Sequence, residues 1–346
     1  MRKTSSRIIA ISIIMLLLVG SVAVGKSLLD AKGTPTVSSY PIGKKVVASG
    51  EFVGIKINMG GLLVVGEDDI QSSDGTMLAS PARIAGIKKG DLITHISGRK
   101  LESVEEFVSL VQKQKGKPAE LIYKRNGQEQ KTTFSGIYDA GTGDYKIGAW
   151  VKDTAMGLGT ITYYDPKTKK YVGVGHTILD EDTKSIVPFE TGEIYEGVVT
   201  GITKGTAGSP GEIKGTFASS KPLGSILDNS NRGIKGILYK SNEKKTFDIA
   251  DENEIKTGPA YLMSEPFGVV EKFNCVIENV SKFGDKDKSI TIHITDNQLL
   301  ERTGGIIQGM SGSPIIQNNK LIGTLTHVYI NDPTRGYAAT IKEVGN

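Results

Sequence analysis

The sequence predicts a mainly β chain: an apolar amino-terminal segment, one α+β unit, and then a larger all-β domain. Three observations carry that prediction. Residues 8–24 form an apolar run behind Arg2, Lys3 and Arg7. One segment, Val104–Val111, places Val104, Phe107, Val108 and Val111 at the spacing of a helix with a single buried face. Beyond about residue 145, strand-length apolar runs alternate with Gly and Pro turns, and no long helical period appears. The 43 glycines, without a collagen repeat, fit the same picture of short strands and tight turns. At 346 residues the chain exceeds what one core usually holds, so more than one domain is expected.

Composition excludes several kinds of function. A single cysteine, Cys275, rules out an intramolecular disulfide framework and a cysteine-based zinc cluster, and it reads as a small buried apolar residue. The four histidines (His95, His176, His293 and His327) are scattered, which argues against a multi-histidine metal site. No cofactor is expected: the glycine-rich KGTAGSPGE (204–212) lacks the Gly-Lys-Ser/Thr of a phosphate loop. The net charge of +4 comes from Arg2, Lys3, Arg7 and Lys26, since the first 26 residues hold no acid. The remainder is balanced, so nucleic acid is not an expected partner.

The basic flank and apolar run of residues 1–26 read as a signal peptide or membrane anchor, with the rest of the chain exported. Residues 27–50, rich in Gly, Ser, Pro and Lys, read as a linker. A first folded unit is expected over residues 51–135. Phe52–Asn58 alternates as a strand, and Gly60-Gly61 precedes the apolar run Leu62–Val65. In SPARIAGIKKGDLITHISGRKL (80–101), Gly86 and Gly90 permit turns into a strand containing Leu92, Ile93 and Ile96. Ser103 with Glu106 forms a capping box for the helix, and Asn126-Gly127 marks a hairpin. This stretch resembles a PDZ domain, a family that binds an extended peptide by adding it as a strand. The resemblance places the family's carboxylate-binding loop on Gly60, Gly61, Leu62 and Leu63.

The second folded unit is expected over residues 145–346, as a β-barrel or sandwich. Thr160–Tyr164 and Tyr171–Val174 read as a hairpin. Its key segment is GGIIQGMSGSPIIQNNKLIGTLTH (304–327), in which two strands flank Asn318-Asn319 and follow Gly309-Met310-Ser311-Gly312-Ser313-Pro314. A serine between glycines in a tight turn exposes its hydroxyl, and the amides of Gly309 and Ser311 can converge as an oxyanion hole. This loop resembles the nucleophile loop of chymotrypsin-like serine peptidases, whose fold is a double β-barrel. That register puts Gly305 at the pocket base and a neutral Met310 where digestive members carry an aspartate. A serine nucleophile needs a base. His176, at the end of a strand in YVGVGHTILDEDT, is the best candidate, while His327 lies where it could line the cleft. Asp296, Asp228, Asp180 and Asp182 are candidates for the carboxylate that orients the base, and residue chemistry alone does not choose among them.

In sequence order these parts resemble the stage IV sporulation protein B peptidase family of endospore-forming bacteria. The strings YDPKTKKYVGVGH (164–176), TGGIIQGMSGSPIIQ (303–317) and THVYINDPTRGY (326–337) carry the resemblance. It implies catalytic His176, Asp296 and Ser311. It further implies export across the forespore membrane, anchoring, and release into the intermembrane space by self-cleavage. Cleavage of a membrane-bound regulator of an intramembrane metalloprotease would follow, leading to activation of a late sporulation sigma factor. A non-catalytic PDZ adaptor with a degenerate peptidase domain is the alternative that the residues leave open.

Overall fold

The computed structural model describes residues 45–72, 74–241, 244–281 and 288–345. The expected membrane segment, residues 1–26, lies outside the described residues. Among the described residues no helix is long and apolar enough to cross a membrane. The end of the expected linker, by contrast, is structured. Lys45–Ala48 forms β1, whose Val46, Val47 and Ala48 are buried. An apolar trio of this kind gains more from burial than a tether would.

β2 (Phe52–Glu67) is a 16-residue strand shared by two parts of the molecule. Its second half pairs with β3 (Leu92–Ile96) in the α+β unit, at Leu62↔Ile93 and Leu63↔Leu92. Helix α1 (Val104–Gln114) begins at Ser103, whose hydroxyl accepts from the Glu106 amide, while Glu106 Oε2 accepts from the Glu102 amide. Phe107 and Val111 are buried, but Val108, expected on the same face, is 49% exposed. β4 (Ala119–Arg125) and β5 (Gln128–Phe134) make the expected hairpin, with Asn126 and Gly127 both at positive φ. The strand leading from Gly90 is stapled by Arg125, which grips both oxygens of buried Asp91 at 2.7 and 2.6 Å.

Most of the remaining strands, with β2, close into two barrels. The first contains β2, β6 (Ala149–Tyr164), β7 (Lys170–Gly173), β8 (Thr191–Thr203), β9 (Gly224–Ser230) and β10 (Gly233–Leu238). Antiparallel pairings run β2–β8–β9–β10–β7–β6 and return to β2, so the circuit has no free end. Val53, Ile55 and Ile57 alternate inward and meet Ile161, Tyr171, Ile194, Ile226 and Ile234.

The second barrel contains β11 (Gly258–Ser264), β12 (Glu271–Val280), β13 (Ile290–Ile294), β14 (Pro314–Gln317), β15 (Lys320–Tyr329) and β16 (Asp332–Thr340). Its circuit runs β11–β12–β13–β16–β15–β14 and back to β11. Phe273, Cys275 and Ile277 face Ile290, Ile292 and Ile294 inside it. Cys275 is the buried residue its sequence setting suggests, and burial pushes its thiol up to about 12. Closure removes exposed strand edges, which is how an antiparallel sheet avoids pairing with other chains.

The first half of β2 thus belongs to a barrel and not to the α+β unit, which displaces the expected boundary at residue 51. The expected carboxylate loop is also corrected. Gly60–Leu63 lies within β2, where Leu62 and Leu63 are buried. A Cβ at Gly60 would press on the Glu190 side chain, and one at Gly61 would meet Ile93 O at 2.6 Å. Along Leu63–Glu67 the β2 edge opposite β3 is already paired with β6, at Ala149↔Glu67 and Lys152↔Leu63. Apolar Leu62 and Leu63 fill the cores on either side of the crossing, which draws the segment into the sheet.

Candidate active site

Ser311 lies between the two barrels, just before β14. Its carbonyl accepts from the Thr160 amide of β6 at 3.2 Å, and the Thr160 hydroxyl donates to Gly309 O at 2.8 Å. Gly312 N–H donates to Leu325 O in β15 at 2.8 Å. Gly312 is required here: at φ +100, an added Cβ would come 2.0 Å from Thr160 O and 2.6 Å from Val174 N. The two serines of the loop differ. Ser313 is fully buried, with its hydroxyl against Met310 O at 2.7 Å and Ser264 Oγ at 3.0 Å. Ser311 is half-buried, and its hydroxyl donates to Thr326 O at 3.0 Å. Met310 is buried in the second core, so the side chain at this position is structural.

Among the described residues, the N–H groups of Gly309 and Ser311 donate to no acceptor of the chain. Two backbone donors in one tight turn, left without intramolecular partners, suit a developing oxyanion. Gly305, at φ +129, packs against Pro333, and a Cβ there would lie 2.3 Å from Pro333 O.

His176 follows β7 in the first barrel, after a tight turn. Val174 has φ +68, and the Gly175 amide closes back to Gly173 O at 2.8 Å. This γ-turn geometry is strained for a β-branched residue. The strain is held in place by the Val174 amide on Thr160 O at 3.0 Å. Gly175 packs on β15, since a Cβ there would touch Thr324 and Thr326 at 3.2 Å. The His176 turn and the Ser311 loop therefore rest on one residue of the second barrel, Thr326.

The His176 Nδ1 lies 3.0 Å from Thr177 O. A carbonyl oxygen only accepts, so this contact is made by an Nδ1–H donor, which leaves Nε2 as the ring nitrogen available to act as a base. The ring of His327, a β15 residue, stands 5.4 Å from that of His176 between centroids.

The structure brings His176, Ser311, Gly309 and His327 to one junction, but the candidate aspartates have other partners. Asp296 is the N-cap of helix α2 (Asn297–Thr303). Its Oδ1 accepts from Leu299 N at 3.1 Å and its Oδ2 from Asn274 N at 3.2 Å. Both oxygens cap or brace backbone amides, and neither hydrogen-bonds the imidazole, in place of the expected contact. Asp180 and Asp182 pair with Lys152, and Asp228 lies opposite Lys235. Among the described residues no carboxylate hydrogen-bonds His176.

The sequence reading missed the groups that hold the His176 segment. The Asn229 amide accepts from Ile178 N at 3.0 Å and donates to Ile178 O at 3.3 Å. Lys152 reaches Asp180 and Asp182 of the same segment. These partners stand far from His176 in sequence, so no local pattern marks them.

Among the described residues no cluster of three or more His, Cys, Asp or Glu side chains is arranged for a metal ion. A cavity of about 440 Å³ is lined by Lys56, Asn58, Glu190, Glu193 and Tyr239 among others, and neither Ser311 nor His176 borders it.

Comparison with known proteins gives two family matches. The model of the SpoIVB peptidase S55 family matches residues 143–344, and that of the PDZ domain matches residues 70–135. The probable protease eep of Enterococcus faecalis is 38% identical over 55 residues, 16% of this chain and 13% of that protein. The chain therefore matches only a small part of that relative's length.

Among solved structures, the PDZ domain of an SdrC-like protein from Listeria monocytogenes is 22% identical. The match covers 27% of this chain and 87% of that one, with a TM-score of 0.22. The active form of the Rv3671c protease from M. tuberculosis is 14% identical, covering 55% of this chain and 71% of that one, with a TM-score of 0.34.

Proposed function

Because the chain belongs to the SpoIVB peptidase S55 family, we propose that it is a serine endopeptidase with Ser311 as nucleophile and His176 as general base. One observation supports this above the others: the serine loop of one barrel and the histidine turn of the other rest together on Thr326. The Ser311 hydroxyl turns from Thr326 O toward His176 Nε2 and attacks a peptide carbonyl as the imidazole takes its proton. Hydrogen bonds in a resting site are often not those of the reacting complex. The amides of Gly309 and Ser311 receive the oxyanion of the tetrahedral intermediate. His176 then protonates the leaving amine, and water, activated by the same imidazole, clears the acyl-enzyme. The Thr177 carbonyl holds the Nδ1 proton, the place an aspartate fills in a triad.

The proposed setting is sporulation signalling. The chain is exported, anchored by residues 1–26 and released into the forespore intermembrane space by cleaving itself near its amino terminus. Its other substrate is a membrane-bound regulator of an intramembrane metalloprotease, whose loss leads to activation of a late sporulation sigma factor. The test is amino-terminal sequencing of the full chain after incubation, wild type against Ser311→Ala. A new terminus in wild type alone is expected. Identical termini in both would reject self-cleavage, and biological activity retained in both Ser311→Ala and His176→Ala would favour a non-catalytic adaptor.

A further inference from the structure

The segment that carries the proposed base has apolar anchors in Val187, buried in the first-barrel core, and in Ile178, which packs against that core. Leu179 and Ile186, which bridge its two arms, are 51% and 57% exposed. Between Ile178 and Val187 a further inner anchor is polar. The Asp180 side chain is 1% exposed, and its Oδ1 accepts from the Asp182 amide, the Thr183 amide and the Thr183 hydroxyl at 2.8–3.1 Å. Its other oxygen meets the ammonium of Lys152, which also touches Asp182 at 2.7 Å. A buried carboxylate of this kind holds its place only while its charge is matched and its lone pairs are filled.

Lys152 lies where β6 passes from the α+β unit into the first barrel. The register shifts at this point: Lys152 faces Leu63, but Thr154 faces Asn58. Asp153, at the shift, accepts the Val104 amide at the start of α1 at 2.9 Å. Two consecutive side chains thus tie one strand to the His176 segment and to the helix of the α+β unit. The far end of the segment has a second tie, in which Glu190 receives Lys100 at 2.6 Å. That pair is about half exposed at both ends and contributes little by itself.

We propose that Lys152 is a positioning residue of the peptidase site: it fixes the His176 segment by clamping Asp180, and through Asp153 its own position depends on α1 of the PDZ-type unit. Base placement then depends on contacts outside the peptidase barrels. This rests on His176 acting as the base for Ser311.

The test follows the kinetics of labelling by an organofluorophosphate on the full chain, resolved into inhibitor binding and the covalent step. In Lys152→Met the covalent rate should fall about 10–100-fold with binding unchanged, as expected for a misplaced base. Lys152→Arg, which keeps the charge, should recover most of that loss. Lys152→Met/Asp180→Asn leaves no buried carboxylate unmatched, so it serves if the single variant does not fold; it should be slow as well. Asp153→Ala should give a smaller fall in the same step.

A folded Lys152→Met, or the folded double variant, that labels at the wild-type rate would overturn the proposal. Arg and Met variants slowed equally would also overturn it, because the lysine would then act by shape alone. Label on wild type that disappears in Ser311→Ala supports the peptidase reading whatever Lys152 does. No label on wild type would overturn both.

Discussion

The Ser311 loop and the His176 segment are built in different ways. The serine loop is fixed by backbone. Glycines at positive φ, main-chain bonds to Thr160 and Leu325, and the buried Met310 and Ser313 leave it little freedom. The histidine segment has one strained turn beneath it and buried Val187 within it, and beyond those it relies on polar contacts from Asn229 and Lys152. The comparison teaches that the nucleophile is placed by backbone geometry and main-chain bonds, while the base depends in addition on side chains remote in sequence. Damage to the first should be all-or-none, and damage to the second should be graded.

The largest effect is expected for Gly312→Ala. Its Cβ would collide with the Thr160 carbonyl and the Val174 amide at once, pushing the two loops apart. Labelling of Ser311 should fall by at least about 10²-fold or the protein should fail to fold, whereas Gly175→Ala, strained at φ +75 but with contacts no closer than 3.2 Å, should lose less. Near-normal labelling in Gly312→Ala would show that the serine loop is not locked as described.

Asn229→Ala comes next. It removes both bonds to Ile178 and should cost about 1–3 kcal/mol of stability by thermal unfolding. The covalent step should slow while Ser311 remains chemically accessible. Equal melting temperatures would refute the clamp.

Acid sensitivity sharpens the contrast further. Burial pushes the Asp180 carboxyl up, but hydrogen bonds from Lys152 and Thr183 outweigh it and hold the group below its ordinary range. A depressed carboxyl adds stability that is fully present above its unfolded value of about 4 and is lost as pH falls through the lower folded value. Between pH 6 and 3, wild type should therefore lose more melting temperature than Lys152→Met/Asp180→Asn. Parallel losses would show that the pair carries no linkage.

The smallest effect is expected at Asp296. Asparagine caps a helix as well as aspartate does, so Asp296→Asn should keep the labelling rate within about tenfold, and Asp296→Ala should cost about 1 kcal/mol. A loss near 10⁴ in Asp296→Asn would restore it as the orienting carboxylate.

Much of this architecture was legible in the residues, and the limits follow the same division. The hairpin at Asn126-Gly127, the turn at Asn318-Asn319 and the helix start at Ser103 depend on local chemistry, and each forms where the sequence places it. The glycine-serine register of residues 309–314 is likewise a local backbone pattern, so the loop could be read directly. Positions decided by distant partners were not legible. Gly60–Leu63 looks like a loop until β6 and Glu190 are known to pack on it. Val108 keeps the helical period yet faces outward, because periodicity marks a face without saying how far the core extends. Asp296 stands 15 residues from Ser311 in sequence, but its neighbours are the amides of Leu299 and Asn274. Asn229 and Lys152 carry no signature at all, since a clamp needs only one amide or one ammonium at the right point in space.

The central claim is tested most directly by locating the organofluorophosphate adduct by mass spectrometry in wild type, His176→Ala and Ser313→Ala. The account expects the adduct on Ser311 in wild type and Ser313→Ala, and almost none in His176→Ala. An adduct on Ser313, or one on Ser311 that forms at the wild-type rate without His176, would contradict it.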